Sequence, residues 1–373
     1  MGRKKIAVAL SGGVDSALTA SLLKEKGYQL IGFYFHLYDK KGSVFQARQT
    51  AEHLGIPLEE IDLRQEFKQK IIKEVLRRYK RGLVPNPCIL CNKLVRFKKG
   101  LELVQKHDCQ ALATGHYARI SPLEFLNPRV GLKIATKVAN PFLLQARDKK
   151  KDQSYFLYFL RSDQLKKLIF PLGNWLKKDV WREAKKRDLP ALKSRESFDL
   201  CFTCNLQQFL KNNLKDLIQP GPVVNLQGEA LGKHHGLAFY TTGYRGGWDW
   251  SPQAQKKYSR QGKLPKLYVV RKNLKENQLV VGSRPEASRD SFKLKIGHWQ
   301  RAGQGEIRVK IRSMGELLEI KNINIPYGET NFASPKVNLK FPQLGITSGQ
   351  AAVFYQQTGQ GWAVIGGGEI RAC

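Results

Sequence analysis

The first 120 residues alternate between strand-like and helix-like segments, and this alternation constrains the fold more than any other feature of the sequence. Ile6–Leu10 is an apolar run of strand length, Val14–Lys26 has helical spacing of apolar residues, and Leu30–Phe35 is again strand-like. The alternation continues to the buried strand expected at Gln110–Thr114. Strands joined by repeated crossovers form a parallel sheet with helices on both faces. We therefore expect an α/β domain.

The sequence changes character near residue 205. Gly and Pro become frequent, and short strand-like segments such as Gln278–Gly282 and Ala351–Tyr355 lie between turns. The polar stretch Trp248–Lys266, which contains two prolines, is typical of a loop or linker. These features predict an α/β domain over residues 1–204, a small β-rich domain over 205–266 and a β-barrel over 267–373.

The charge of the chain predicts a polyanionic partner. Its 64 Lys and Arg residues against 31 Asp and Glu residues give a formal net charge of +33, far more than solubility requires. Nucleic acid and an anionic membrane surface both fit this charge, but no window has the ~18 apolar residues of a membrane span. We expect a cytoplasmic protein with no membrane partner. Its six cysteines are then better read as thiols, metal ligands or catalysts than as a disulfide framework.

A glycine-rich loop, Ser11-Gly-Gly-Val-Asp-Ser16, follows the first strand and opens the first helix. Such a loop suits phosphate, because glycines let the backbone approach closely and the helix N-terminus favours negative charge. It is not a Walker A loop, since no Lys follows the last Gly. The loop resembles that of the N-type ATP pyrophosphatases, and this resemblance implies that Asp15 helps to hold Mg²⁺ on the phosphates of ATP.

Two pairs of cysteines lie in separate motifs. Pro85–Lys93 contains Cys88 and Cys91, and Ser197–Cys204 contains Cys201 and Cys204. We expect Cys91 to start a helix, with Lys93 and Arg96 close by in sequence, and therefore to have a depressed pKa. The spacing of both pairs is, by itself, also that of metal ligands.

Together, seven motifs in order resemble the tRNA-specific 2-thiouridylases, which thiolate the wobble uridine of certain tRNAs. Besides the loop and the cysteine motifs, they are Ala113–Arg119, Lys150–Leu157, Phe170–Gly173, Gly232–Gly236 with Tyr240–Gly243, and Gly349–Tyr355. The resemblance implies an ATP-dependent tRNA-uridine 2-sulfurtransferase. Its N-terminal domain would be an adenine-nucleotide hydrolase-like, Rossmann-like ATP pyrophosphatase, followed by a small connecting domain and a C-terminal β-barrel that contacts tRNA.

The resemblance also assigns roles to individual residues. The residues that match ATP contacts are Ala9, Leu10, Ser11, Gly12, Gly13, Val14, Asp15, Ser16, Phe35 and Gly115. Those that match contacts with tRNA are Asn86, Pro87, Cys88, His116, Lys151, Asp152, Gln153, Arg312 and Gln350. Taken alone, His116 is as well explained as a structural hydrogen-bond partner, and Lys149–Lys151 as a solvated loop.

The resemblance leaves three chemistries open for the cysteines. In the first, a partner protein delivers a persulfide to Cys201, and Cys91 releases the thiolated product by forming a disulfide. The second arises because this chain has Cys88 where the family commonly has Asp: Cys88, Cys91 and Cys201 would hold a [4Fe–4S] cluster whose fourth iron binds sulfide. The third is structural zinc on all four cysteines. We favour the cluster, with Cys204 outside it.

Two other functions fit parts of the sequence. An adenylating ligase for a small molecule would use the same ATP loop, but it would leave the charge of +33 and the β-rich half unexplained. A non-catalytic RNA-binding protein would explain the charge and the aromatic residues near Tyr240. Its weakness is that it leaves the Ser11–Ser16 loop, Cys91 and Cys201 without a purpose.

Overall fold

A five-stranded parallel sheet forms the centre of the N-terminal domain. The computed structural model describes residues 4–38, 42–121, 140–193, 200–215, 218–300, 304–323 and 334–371. The strands of this domain are β1 (Lys5–Ala9), β2 (Gln29–His36), β3 (Leu58–Asp62), β4 (Ala111–Ala113), β5 (Ala118–Ile120), β6 (Leu143–Gln145) and β7 (Leu168–Ile169). The parallel sheet has the order β3-β2-β1-β4-β7. This confirms the α/β prediction.

Helices cover both faces of the sheet. The helices that precede the middle sheet are α1 (Val14–Glu25), α2 (Ser43–His53), α3 (Arg64–Phe67), α4 (Lys73–Lys80), α5 (Pro87–Cys91), α6 (Phe97–Lys106), α7 (Ser162–Leu165), α8 (Lys177–Lys186) and α9 (Leu206–Asn213). Shorter segments are the 3₁₀ turns Ser154–Leu157 and Pro190–Lys193 and the π-helical segments Lys68–Ile72 and Asn92–Arg96. In β1, Ile6, Ala7 and Val8 are fully buried, as expected of a central parallel strand covered on both faces.

The middle domain contains a second sheet of five strands. Its elements are β8 (Gly221–Val224), β9 (Ala230–His234), β10 (Asp249–Trp250), α10 (Pro252–Tyr258), β11 (Tyr268–Asn273) and β12 (Gln278–Gly282), followed by α11 (Arg284–Ala287). The sheet order is β10-β9-β8-β12-β11. Because β12 pairs with β8, the middle domain extends to Gly282, past the boundary predicted at residue 266. The stretch predicted to be a linker contains β10 and α10, and its Trp248 and Ala254 are buried.

The C-terminal domain is a closed barrel of six strands. They are β13 (Ser288–Trp299), β14 (Ile307–Lys310), β15 (Leu318–Ile323), β16 (Lys336–Leu344), β17 (Ala351–Thr358) and β18 (Gly361–Arg371). Pairing of β13 with β18 closes the sheet. Strands β5 and β6 extend it from the N-terminal domain, because β6 pairs with β18.

Two ion pairs also join the barrel to the N-terminal domain. Arg78 Nη1 lies 2.6 Å from Glu369 Oε2, and Lys310 Nζ lies 3.7 Å from Asp152 Oδ2. The second pair is buried, with side chains 8% and 1% exposed. The part of the chain described here contains no helix long and apolar enough to cross a membrane.

Candidate active site

The glycine-rich loop lies at the junction between the end of β1 and the start of α1, as the sequence pattern predicts. Gly12 has φ +79°, and a Cβ atom there would lie 2.0 Å from the carbonyl oxygen of Ser43. Within the loop, the Ser11 N–H donates to Ser16 Oγ at 3.1 Å, and Ser16 Oγ donates to the Gly13 carbonyl at 2.9 Å. A Cβ on Gly115, after β4, would lie 2.8 Å from the Asp15 carbonyl carbon. Both glycines therefore permit close packing around the loop.

A cavity of about 490 Å³ opens over this loop, a volume that suits a nucleotide-sized ligand. The predicted site residues that line it are Ala9, Leu10, Ser11, Gly12, Gly13, Asp15, Ser16, Phe35, Gly115, His116, Gln153 and Cys201. The predicted residues that do not line it are Val14, Asn86, Pro87, Cys88, Cys91, Lys151, Asp152, Arg312 and Gln350. The phosphate loop and one of the two proposed reactive cysteines thus share a single cavity.

The Asp15 carboxylate is held by two side chains. Lys177 Nζ, at the start of α8, donates to Asp15 Oδ1 at 2.8 Å and to Oδ2 at 2.9 Å. The Tyr117 hydroxyl donates to Oδ1 at 2.8 Å. Lys177 also lies over the Trp181 ring, 5.5 Å from its centroid. Nothing in the sequence links the start of α8 to the loop, so Lys177 was not predicted as a site residue.

Cys91 differs from its prediction. The helix α5 begins at Pro87, with Asn86 Oδ1 accepting a hydrogen bond from the Ile89 N–H at 3.2 Å. The chain stays helical through Asn92–Arg96 and α6, so Cys91 lies within this helical stretch rather than at its start. Cys91 is 5% exposed. Burial raises the pKa of its thiol, although the Arg96 guanidinium acts in the opposite direction. The expected depressed pKa is therefore wrong, because loss of solvation outweighs the nearby cation.

Arg96 is the charged group that connects the cysteines. The π-helical segment Asn92–Arg96 places Arg96 one wide turn after Cys91, and its guanidinium interacts with the sulfurs of Cys88, Cys91 and Cys201. Arg96 also lines the cavity. Tyr38, which also lines the cavity, forms a hydrogen bond with Cys201, and burial raises the pKa of Tyr38. Cys204, three residues farther on, is exposed.

The described residues contain no group of three or more His, Cys, Asp or Glu side chains arranged to hold a metal ion. The predicted cluster on Cys88, Cys91 and Cys201 therefore has no preformed site there. Arg96 interacts with all three sulfurs, and Tyr38 is hydrogen-bonded to Cys201. The exposed position of Cys204 likewise does not fit zinc on four cysteines. Asp199, beside Cys201 in sequence, and Cys373 lie outside the described residues.

His116 is a neutral side chain in the cavity wall. Its Nδ1 is hydrogen-bonded to Thr114 Oγ1 at 2.8 Å, and its ring packs against Phe97 and Phe170 with centroids 5.5 and 6.1 Å away. Burial, assisted by the charge of Arg96, lowers the pKa of His116 to about 3. The imidazole is therefore uncharged near neutral pH and available only as a neutral donor or acceptor.

The side chains of Lys151, Asp152 and Gln153, which share one loop, lie in three different environments. Lys151 is exposed, whereas Gln153 lines the cavity and accepts a hydrogen bond from the Tyr117 N–H at 2.9 Å. The Asp152 carboxylate is buried and accepts from the Ala146 N–H at 2.9 Å and from the Ser154 hydroxyl at 3.0 Å. These bonds and the ion pair with Lys310 engage the carboxylate within the protein, and a contact of Asp152 with tRNA stays a prediction.

The two barrel residues matched to tRNA contacts lie away from the cavity. Arg312, just after β14, is exposed and donates to the Leu344 carbonyl at 2.6 Å. Gln350, just before β17, is partly buried, and its carbonyl accepts from the Ile370 N–H at 2.8 Å. Asn86, Pro87 and Cys88 are also partly buried, at the start of α5. Their contacts with tRNA stay predictions.

Several cavity residues were not predicted as site residues. They are Phe33, Tyr34, Leu37, Tyr38, Gly42, Ser43, Gln46, Arg96, Phe97, Leu112, Thr114 and Lys193. Some signals were available: Tyr38 follows the end of β2, where parallel-sheet sites form, and Thr114 precedes Gly115. Lys193 had no such signal.

Comparisons with known proteins agree with this arrangement. Family models match residues 4–205 as a tRNA methyl transferase HUP domain, 207–283 as a tRNA methyl transferase PRC-barrel domain and 289–370 as an aminomethyltransferase beta-barrel domain. The tRNA-specific 2-thiouridylase MnmA of Helicobacter pylori (strain ATCC 700392 / 26695) is 35% identical, covering 98% of this chain and 99% of the relative. MnmA of Campylobacter jejuni (serotype O:6) is 36% identical over 94% and 96%, and MnmA of Chloroflexus aggregans is 33% identical over 98% of each.

Proposed function

The chain belongs to the family of tRNA-specific 2-thiouridylases, and we propose that it uses ATP to activate a uridine of tRNA and then replaces the oxygen at C2 with sulfur. The observation that carries this proposal is the single cavity in which the Ser11–Ser16 loop and Cys201 meet. Adenylation and sulfur transfer must act on the same base, so the phosphates and the sulfur have to reach it from one site.

In the first step, the C2 oxygen of uridine attacks the α-phosphorus of ATP, and pyrophosphate leaves. The N–H groups of the loop and the N-terminus of α1 suit the phosphates. Asp15 is the side chain that we assign to Mg²⁺, because Mg²⁺ typically takes one or two carboxylates together with phosphate oxygens. When bound, Mg²⁺ would neutralise charge on the phosphates. Lys177 must then release at least one oxygen of Asp15.

In the second step, the outer sulfur of a persulfide on Cys201 attacks C2, and AMP leaves with the former oxygen. Cys91 then attacks the inner sulfur, which leaves sulfur on the base and a disulfide between Cys91 and Cys201. Arg96, which interacts with both cysteines, favours their anionic forms. We prefer this persulfide pair to the [4Fe–4S] cluster because the described residues offer no group arranged for a metal. Iron analysis of anaerobically purified protein tests this choice.

Three further parts of the proposal concern the sulfur donor, the substrate uridine and the cellular compartment. In the persulfide route, the outer sulfur of a persulfide-carrying donor protein is transferred to Cys201, and a reductant such as a thiol must reopen the disulfide after each turnover. Sulfide would be the donor only in the alternative that uses a [4Fe–4S] cluster. The substrate uridine is the wobble position, and the charge of +33 supports binding to tRNA. We place the reaction in the cytoplasm, where tRNA is modified.

The test is reconstitution with the full chain, tRNA, ATP, Mg²⁺, a persulfide donor and a thiol reductant. We expect 2-thiouridine by mass spectrometry of digested tRNA, together with AMP and pyrophosphate. Cys201→Ser should still release pyrophosphate but form no 2-thiouridine, whereas Cys109→Ser, a buried cysteine outside the cavity, should behave as the wild type. Product formation by Cys201→Ser would contradict the assignment of the persulfide to Cys201.

A further inference from the structure

We infer that Tyr117 is a positioning residue for Asp15, which keeps this carboxylate aimed at the nucleotide when Mg²⁺ displaces the Lys177 ammonium. The inference rests on the proposed function, because it assumes that ATP and Mg²⁺ bind at the Ser11–Ser16 loop. Tyr117 was not among the predicted site residues, and it does not line the cavity. Its hydroxyl acts through Asp15, and its ring centroid lies 5.9 Å from Lys177 Nζ.

Tyr117 is well suited to hold another residue in place. Its side chain is 3% exposed, and its hydroxyl donates to Asp15 Oδ1 at 2.8 Å. The main chain of Tyr117 is fixed twice by Gln153: its N–H donates to Gln153 Oε1 at 2.9 Å, and its carbonyl accepts from the Gln153 N–H at 2.8 Å. A buried ring with a pinned backbone has little freedom, so the position of its hydroxyl is well defined.

Lys177, in contrast to Tyr117, is a charged and flexible partner of Asp15. Its ammonium contacts both oxygens of Asp15, on a long side chain with four rotatable bonds. A divalent cation and an ammonium repel each other and compete for the same oxygens. Binding of Mg²⁺ therefore requires Lys177 to release at least one oxygen of Asp15, and this removes at least one of its two hydrogen bonds to the carboxylate.

The Tyr117 hydrogen bond survives that exchange. A neutral hydroxyl occupies one lone pair of Oδ1 and leaves Oδ2 accessible to a cation. Hydrogen-bond donors behind metal-binding carboxylates orient them, and losing such a donor typically lowers metal affinity by about 10- to 100-fold. Without the hydroxyl, the carboxylate would have to be ordered by the cation itself, at a cost in side-chain entropy.

The experiment uses the full-length protein and a fluorescent ATP analogue. Binding of the analogue is measured over a titration with MgCl₂, and separately in EDTA. We expect Tyr117→Phe to raise the half-saturating Mg²⁺ concentration about tenfold, while affinity for the analogue in EDTA changes less than about twofold. Tyr155→Phe is the matched control, because Tyr155 is also buried but does not line the cavity, and its hydroxyl donates to the Ala351 carbonyl at 2.7 Å.

A double-mutant cycle with Asp15→Asn separates positioning from general damage. If Tyr117 acts through the carboxylate, Tyr117→Phe should have no further effect on the Mg²⁺ dependence in the Asp15→Asn background. A Mg²⁺ titration of Tyr117→Phe that coincides with the wild type would overturn the inference, as would equal losses with and without Mg²⁺. Failure of the wild type to bind the analogue at all would instead overturn the proposed ATP site.

Discussion

The phosphate loop and the cysteine cluster lie in the same cavity, but they depend on the sequence in different ways. The loop is six consecutive residues between β1 and α1, and its shape follows from Gly12 and from hydrogen bonds within the loop. The cysteine cluster combines α5, the following π-helical segment and the distant Cys201, and its electrostatics depend on burial. A local backbone motif can therefore be interpreted from sequence alone. The reactivity of a side chain cannot, when the site around it is assembled from distant segments.

Replacing Asp15 by Asn should have the largest effect on activity. It should show that the chemistry at the loop can be lost while tRNA binding is kept. The substitution keeps the shape of the side chain but removes the charge that we assign to Mg²⁺. We expect pyrophosphate release to fall by at least about 100-fold, or roughly 3 kcal/mol of transition-state stabilisation, with tRNA affinity nearly unchanged. Full activity in Asp15→Asn, measured as tRNA-dependent pyrophosphate release, would contradict the assignment of Asp15 to Mg²⁺.

Gly12→Ala tests whether the loop depends on its backbone. Gly12 has φ +79°, and an added Cβ would meet the Ser43 carbonyl oxygen at 2.0 Å. We expect the free energy of unfolding to fall by about 2–3 kcal/mol and ATP binding to be lost.

The control for this glycine is Gly228→Ala. Gly228 has a similar φ of +85°, but a Cβ there would meet nothing within 4 Å. We expect it to cost about 1 kcal/mol, from backbone strain alone. Urea denaturation measures both variants, and equal losses would show that the contact with Ser43 does not matter.

The cysteine cluster should be sensitive to burial and to Arg96. In the wild type, iodoacetamide should modify exposed Cys204 at least about tenfold faster than Cys91 at pH 7, because Cys91 is buried and burial raises its pKa. Arg96→Gln should slow the modification of Cys91 further, since the guanidinium favours its thiolate. Peptide mass spectrometry gives the rate at each cysteine.

Arg48→Gln is the control for Arg96→Gln, because Arg48 is exposed and pairs with Glu60. It should leave all cysteine rates unchanged. Faster modification of Cys91 in Arg96→Gln would mean that the arginine shields the sulfur instead of stabilising its anion.

The smallest expected effect is the contribution of His116 to the pH dependence of stability. Its pKa is about 3 in the folded protein, against about 6.5 for an unperturbed histidine. Between these values the unfolded chain binds the extra proton, so stability decreases as the pH falls below about 6.5. From pH 7 to pH 5, the wild type should lose about 1–2 kcal/mol more than His116→Gln. Identical losses in urea denaturation would show that the pKa of His116 is the same in the folded and the unfolded states.

The predictions that succeeded concern regular patterns, and those that failed concern packing. The first strand was expected at Ile6–Leu10 and is Lys5–Ala9, and the first helix was expected to start at Val14 and does so. By contrast, β11 and β12 were assigned to the barrel because their strand pattern cannot reveal the partner strand. The burial of the Asp152 carboxylate was also not predicted, because sequence does not show solvent exposure.

Pairing of β6 with β18 links the position of the barrel to that of the cavity. Backbone hydrogen bonds, together with the buried Lys310–Asp152 pair, join the barrel to the domain that contains the cavity. The exposed Arg312 and the cavity thus belong to two domains that share a sheet and a buried ion pair. If Arg312 and the cavity engage the same tRNA, the distance between them selects the substrate. A uridine then reaches the cavity only when its distance from the nucleotides bound at the barrel matches the distance between Arg312 and the cavity.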